Sequence, residues 1–256
     1  MTRENQLLQI ISSDLNLYAD GLCTCMASPN TLHMGFNPAT ADFRFFLRPE
    51  NEGISPELNV EQALMHAGYR CVAGTDEAGR GPLAGPVVAA AVVLDPQNIP
   101  DGLNDSKRLT EEKREALYEE ILQSSFVSIA SNNQDTIDRM NIRSASLDAM
   151  QRTTRCLPVQ ADALLVDGNA VPPRMHIPAF AMIKGDGRSL SIAAASIIAK
   201  TARDRMMLKL HEAYPDYGFA QHKGYPTAAH REALKKYGPC PAHRKSFKPV
   251  AEALMS

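Results

Sequence analysis

The sequence predicts an α/β fold, a sheet covered by helices, and three observations carry that expectation. Short apolar runs punctuated by glycine, proline and aspartate cluster early in residues 59–256. Apolar residues at helical spacing then alternate with further runs of the same kind. The segment Val87 to Leu94 is apolar without a break, which is the pattern of a strand buried on both faces.

The elements follow in order. Val60 to His66 reads as a short helix that Gly68 can close, because glycine accepts the positive φ of a C-cap. Tyr69 to Thr75 is a first strand and Val87 to Leu94 a second. Thr110 can cap a helix whose first turn holds Glu111 and Glu112, favourable at the positive dipole end, with Leu117 and Ile121 on one face. Phe126 to Ala130 is a third strand, and Ile142, Ala145, Ala149 and Cys156 fall at helical spacing. Ala163 to Val166 is a fourth strand ending at Asp167-Gly168, and Ala179 to Ile183 a fifth ending at Lys184-Gly185-Asp186. Ile192, Ala195, Ile198, Ala202 and Met206 make the stripe of a last helix, whose run Ala193-Ala194-Ala195 permits close approach to a sheet. Residues 1–58 differ: they carry a Cys23-x-Cys25, Pro29, Pro38, Pro49 and Pro56, and no sustained period. That stretch reads as an appendage, with a boundary between Pro56 and Asn59 and the main domain at 59–256.

Composition narrows the class. With 256 residues and 44% apolar content the chain can fill one ample core. Its longest apolar run, eight residues from Val87, is far short of the roughly 18 of a membrane span. Residues 1–18 show no secretory apolar core, so the expected location is cytoplasmic. Five scattered cysteines do not form an even disulfide framework, and reduced thiols are expected. The CxC, and Cys240 near His243, raise structural zinc but lack its paired spacing. His222, His230 and His243 likewise lack the HxxxH or HxH spacing of a zinc catalyst and read as surface or phosphate contacts. The net charge of -2 hides an uneven distribution: three basic against seven acidic residues precede position 61, whereas thirteen face six from Lys184 onward. A basic final third fits phosphate binding, and fits a solvated face as well.

Four carboxylates share one placement. Asp76, Glu77, Asp167 and Asp186 each stand at the predicted C-terminal end of an apolar strand, with glycine close behind. Strand ends form the ligand crevice of α/β sheets, so three such ends can bring the four together. Taken singly, each also reads as a turn or cap residue. Packed without cations they would repel. A pair of hard divalent ions, Mg²⁺ or Mn²⁺, resolves that repulsion, and two such ions about 3.5–4 Å apart can drive in-line hydrolysis of a phosphodiester. Asp204 is a rival for the fourth position, but it lies inside a helix beside Arg203 and Arg205, where an ion pair is expected.

Seven stretches then resemble one family in order. They are Gly74-Thr75-Asp76-Glu77-Ala78-Gly79-Arg80-Gly81-Pro82-Leu83-Ala84-Gly85-Pro86, Asn104-Asp105-Ser106-Lys107, Val166-Asp167-Gly168-Asn169, Lys184-Gly185-Asp186, the run from Ser191 to Lys200, His222-Lys223-Gly224-Tyr225-Pro226-Thr227, and His243-Arg244-Lys245-Ser246-Phe247. Together they resemble bacterial ribonuclease HII across residues 60–250. The resemblance implies a ribonuclease H-like fold, a mixed five-stranded sheet flanked by helices, with a helical C-terminal region across the substrate groove. It implies an endonuclease that hydrolyses the RNA strand of RNA-DNA hybrids and incises 5′ of single ribonucleotides in duplex DNA, leaving 3′-hydroxyl and 5′-phosphate ends. Asp76, Glu77, Asp167 and Asp186 would be its catalytic, metal-holding residues, with two Mn²⁺ or Mg²⁺ ions as cofactors. Gly79-Arg80-Gly81 would sense the 2′-hydroxyl, and Tyr225 would read the RNA-DNA junction.

These assignments also make chemical sense independently. Glycines beside Arg80 let main-chain groups approach a ribose, and the 2′-hydroxyl is what separates RNA from DNA. Asp105-Ser106-Lys107 can supply a hydroxyl and a cation to phosphate, and reads equally as a loop preceding a helix; Lys184 would join the substrate contacts as the resemblance implies. The sister enzyme ribonuclease HIII is disfavoured by Arg80 in the glycine loop. A transposase-like nuclease would have no reason to sense a 2′-hydroxyl, and a non-catalytic module no reason to keep all four carboxylates. The resemblance stops before residue 60.

Overall fold

The computed structural model describes residues 55–255 and, as a backbone strand, Cys23–Met26. The rest of the appendage, and the side chains of Cys23 and Cys25, lie outside the described residues. In chain order the elements are β1 (Cys23–Met26), α1 (Asn59–His66), β2 (Val72–Ala78), β3 (Val87–Leu94), α2 (Glu111–Ser124), β4 (Ser125–Asn132), α3 (Gln134–Met140), α4 (Ile142–Arg155), β5 (Ala163–Asp167), β6 (Ala179–Met182), α5 (Leu190–Ala213), α6 (Phe219–His222), α7 (Ala228–Tyr237) and α8 (Lys248–Met255). Three-residue 3₁₀ turns at Gly185–Gly187 and Pro215–Tyr217 complete the description.

One mixed sheet runs in the order β1-β4-β3-β2-β5-β6. β2 pairs antiparallel with β3 and parallel with β5, so it is the hinge between the two halves of the sheet. The five strands β2 to β6 are the ones expected; β1, from the appendage, adds a sixth at the edge by pairing Cys23 to Met26 antiparallel with Ala130 to Val127. Every residue of β3 is buried, because helices cover the sheet on both sides. On one face α5 and α2 pack through Ile197, Ile198, Tyr118 and Ile121 onto Val88, Ala90 and Val92. On the other, Ala149 and Met150 of α4 pack onto Ala73, Ala89 and Leu164.

The alanine run of α5 allows a close approach that β2 completes: at Gly74 a side-chain carbon would lie 2.3 Å from the Ser191 main chain, so any larger residue would separate strand from helix. Thr110 caps α2 by accepting from the Lys113 N–H, as its sequence predicts. Glu61 of α1, fully buried, accepts from the hydroxyls of Ser189 and Ser191 at 2.6 Å and from the Ser191 N–H at 2.9 Å. A carboxylate at the N-terminus of α5 thus joins α1 to the core and steadies the chain just after Asp186.

Two expectations need correction. β2 does not end at Thr75 but continues to Ala78, carrying Asp76 and Glu77 inside the strand opposite Ala90 and Ala89. Alternation of apolar residues stops at the carboxylates while main-chain pairing with β3 does not. Cys71 and Cys240 are free thiols, but Cys156, at the C-cap of α4, is disulfide-bonded. Chain folding can bring distant cysteines within bonding range, which sequence spacing does not reveal.

Candidate active site

Asp76 and Glu77 are set by β2, Asp167 closes β5 beside it, and Asp186 sits in the 3₁₀ turn that follows β6. The parallel register of β2, β5 and β6 places these chain segments along one edge of the sheet. The Gly185 N–H donates to Asp167 Oδ1 at 2.7 Å, tying the turn that carries Asp186 to the end of β5. The Glu77 N–H donates to Asp76 Oδ1 at 2.7 Å, and Arg80 Nη1 donates to Glu77 Oε1 at 3.1 Å.

The electrostatics are those of carboxylates short of cations. Burial raises the Asp76 carboxyl well above its usual range, and Asp167, Glu77 and Asp186 push it further. Burial raises Glu77 too, against the pull of Arg80, and burial with Asp186 raises Asp167. Besides Arg80 on Glu77, Lys107 reaches into the group, its ammonium 3.1 Å from Asp186 and 3.5 Å from Asp105. Burial lowers the affinity of Lys107 for its proton, but Asp186 and Asp105 more than restore it. The donor set, all oxygen and anionic, suits hard divalent ions. As they stand, no three donors among the described residues close around one point.

Each predicted contact residue has its place. Arg80 and Gly81 are exposed on the loop between β2 and β3, while Gly79 is buried beneath them at φ 98°. Tyr225, 42% exposed, faces that loop: a side-chain carbon at Gly81 would lie 3.6 Å from its ring. Ser106 is buried, whereas Lys184 is exposed in the left-handed region between β6 and the Asp186 turn. An open pocket adjoins the carboxylates, lined by Glu77, Asp167, Arg80, Arg143 and Asn169.

Sequence reasoning missed what holds the loop. Arg244, fully buried, donates from Nη2 to the Gly79 carbonyl at 2.6 Å, from Nη1 to that of Arg80 at 3.1 Å and from Nε to that of Gly85 at 2.9 Å. Arg203, also buried, donates to the carbonyls of Pro86, Lys223 and Ala84 at 3.0, 3.0 and 3.2 Å. Burial lowers Arg203 to about 10 and Arg244 to about 9, so both remain charged at neutral pH. These carbonyls, rather than carboxylates, carry the compensation. A side-chain carbon on Gly79 would strike the Arg203 side chain at 2.0 Å. Motif spacing offered no sign of this, since arginine in a basic region reads as a surface charge.

Asp204 is ion-paired as expected, but with Lys200 at 2.6 Å rather than with Arg203 or Arg205. Helix neighbours four apart face each other and adjacent residues do not. Nor are His230 and His243 surface residues: both are fully buried, packed beside Phe219. Among the described residues no helix is long and apolar enough to cross a membrane.

Residues 73–250 match the ribonuclease HII family. The chain is 58% identical over 197 residues to the ribonuclease HII of Rhizobium meliloti, covering 77% of this chain and 91% of that one. To the ribonuclease HII of Rhizobium etli it is 56% identical over 198 residues, covering 77% and 86%. Among solved structures, the ribonuclease H2 of Pyrococcus horikoshii superposes with a TM-score of 0.62 at 28% identity, covering 72% of this chain and 97% of that one.

Proposed function

The chain belongs to the ribonuclease HII family, ribonuclease H-type endonucleases, and from that premise we propose that it hydrolyses the RNA strand of RNA-DNA hybrids and cuts duplex DNA on the 5′ side of a single ribonucleotide. The observation that carries this reading is the meeting of three parts: the carboxylates on β2, β5 and the Asp186 turn, the glycine loop three residues beyond Asp76, and Tyr225 facing Gly81.

In this reading Asp76, Glu77, Asp167 and Asp186 hold divalent ions, Mn²⁺ or Mg²⁺. Bound there, two such ions supply an activated water and offset the charge that builds on the phosphodiester. The carbonyls of Gly79 and Arg80 are turned onto Arg244, so the loop offers its N–H groups to a ribose 2′-hydroxyl. Arg80 and Lys184, both exposed, reach phosphates of the duplex, and Lys107 with Ser106 flanks the scissile group from the Asp186 side. A ribose held at Gly79-Arg80-Gly81 presents its 5′ phosphodiester to the carboxylates. Cleavage there leaves a 3′-hydroxyl and a 5′-phosphate. Tyr225 packs on the following sugar, where deoxyribose fits and a further 2′-hydroxyl crowds the ring, favouring the RNA-to-DNA junction.

The test is a DNA duplex carrying one ribonucleotide, incubated with Mn²⁺ or Mg²⁺ and with chelator. Cutting 5′ of the ribonucleotide, absent in chelator, is expected. Replacing that ribose by its 2′-deoxy or 2′-O-methyl form should remove cleavage far more than binding, since phosphate contacts survive while alignment does not. Tyr225→Ala should cut slowly and keep its metals. Equal cleavage of all-DNA and ribonucleotide-containing duplexes would defeat the assignment of the glycine loop.

A further inference from the structure

Behind Tyr225 lies a buried chain of neutral imidazoles whose proton positions can be deduced. The Cys240 N–H, at 3.0 Å, points at His243 Nδ1, and the Cys240 thiol lies 3.1 Å from the same atom. Burial pushes that thiol up to about 11, so it stays protonated, while the Cys240 N–H alone makes Nδ1 an acceptor. His243 Nδ1 is therefore an acceptor and its proton is on Nε2, which lies 3.0 Å from His230 Nε2. His230 Nε2 must accept, so the His230 proton is on Nδ1 and donates to the Tyr225 carbonyl at 2.9 Å. His222 fixes the preceding residue: its Nδ1 accepts the Gly224 N–H at 3.2 Å, its Nε2 donates to the Tyr217 carbonyl at 2.7 Å, and its ring stacks on His230 at 4.5 Å. Burial depresses all three imidazoles, His243 to about 4, so the chain works uncharged at neutral pH.

Economy of packing does not account for this chain. The Tyr225 carbonyl already accepts the Thr227 N–H at 2.8 Å, so it would be satisfied without His230. Two fully buried imidazoles cost desolvation that two leucines would not. What the second bond adds is a fixed direction for the Tyr225 peptide. The Tyr225 ring is exposed at the loop with the Arg203 guanidinium 6.0 Å from its centroid, and its main chain is held from behind by His230.

We propose that His230, with its proton position set by His243, is a positioning residue that holds Tyr225 against the sugar next to the scissile bond, and so sets the rate at the RNA-to-DNA junction. This rests on the reading of Tyr225 given above. The test measures kcat and KM on the single-ribonucleotide duplex for His230→Leu, Tyr225→Ala and the double variant, with Mn²⁺ affinity followed separately by calorimetry. His230→Leu should lower kcat by about ten-fold, the order expected for a small misplacement of a substrate contact. KM and Mn²⁺ affinity should hold. In the Tyr225→Ala background the same change should add almost nothing. His230→Asn, whose amide N–H reaches the position of Nδ1, should restore most of the rate. If His230→Leu does not fold, His243→Asn carries the test. It keeps an acceptor for Cys240 but removes the Nε2 donor that selects the His230 proton position, and it should also slow turnover only where Tyr225 is present. Equal slowing with and without Tyr225, or no slowing in a folded variant, overturns the relay. A Tyr225→Ala protein as fast as the parent overturns both the relay and the role given to Tyr225.

Discussion

At the scale of single residues, the carboxylates proposed to hold the ions trade stability for that role. Asp76 is buried among three other acids, so its ionised form is disfavoured in the metal-free protein. Its carboxyl lies above its unfolded value, so it favours the fold at low pH and disfavours it as pH rises through the folded value. Asp76→Asn and Asp167→Asn should each abolish turnover, because an amide cannot supply the anionic oxygen that holds the ions. In chelator near neutral pH their thermal stability should stay level or rise. Calorimetric melting beside a cleavage assay checks both halves, and substantial cleavage by either folded variant removes that residue from the site. Asp204 shows the opposite case, a buried acid beside Lys200 whose partner makes it structural.

At the scale of elements, the loop between β2 and β3 is held by a helix-borne arginine and by one near the C-terminus. Arg203 reaches out from α5, and Arg244 lies between α7 and α8. Together they take the carbonyls of Gly79, Arg80, Ala84, Gly85, Pro86 and Lys223. The loop is thereby held by side chains from outside it. Arg244→Met keeps much of the stem but strands three carbonyls, which should cost about 3 kcal/mol, at 1–3 kcal/mol for each unmet buried group less what relaxation recovers. Denaturant unfolding measures that loss. In the folded fraction, cleavage of the ribonucleotide duplex should fall more than its binding at low salt. A variant as stable and active as the parent would show that the loop holds its shape unaided.

At the scale of the whole molecule, every residue proposed for chemistry lies after the boundary at Pro56 to Asn59, and α1 is joined to the core by Glu61. Deleting residues 1–55 should therefore leave catalysis largely intact. The deletion also removes β1 and uncovers the β4 edge from Val127 to Ala130. An unpaired edge strand invites pairing between molecules, so the truncated protein should associate as concentration rises. Cleavage rates and sedimentation across a dilution series read the two effects. A folded truncation without activity would show that the appendage completes the groove.

Local physical chemistry made much of this protein legible in its sequence. The unbroken apolar run of β3, the threonine cap of α2 and the alanine face of α5 each follow from nearest neighbours, and Asp167 closes β5 where the glycine after it marked a strand end. The sheet's pairing order and the disulfide of Cys156 depended on which distant segments meet. So did the fate of charge: Arg203 and Arg244 count toward the basic final third, yet both are buried and serve carbonyls rather than solvent or phosphate. His230 and His243 lacked the spacing of a metal site, because their partners are a thiol, an imidazole and a main-chain oxygen within residues 225–243. Periodicity reports which face of an element is apolar, but a hydrogen bond between segments far apart in the chain leaves no period behind, and only the tertiary structure decided where those polar groups found their partners.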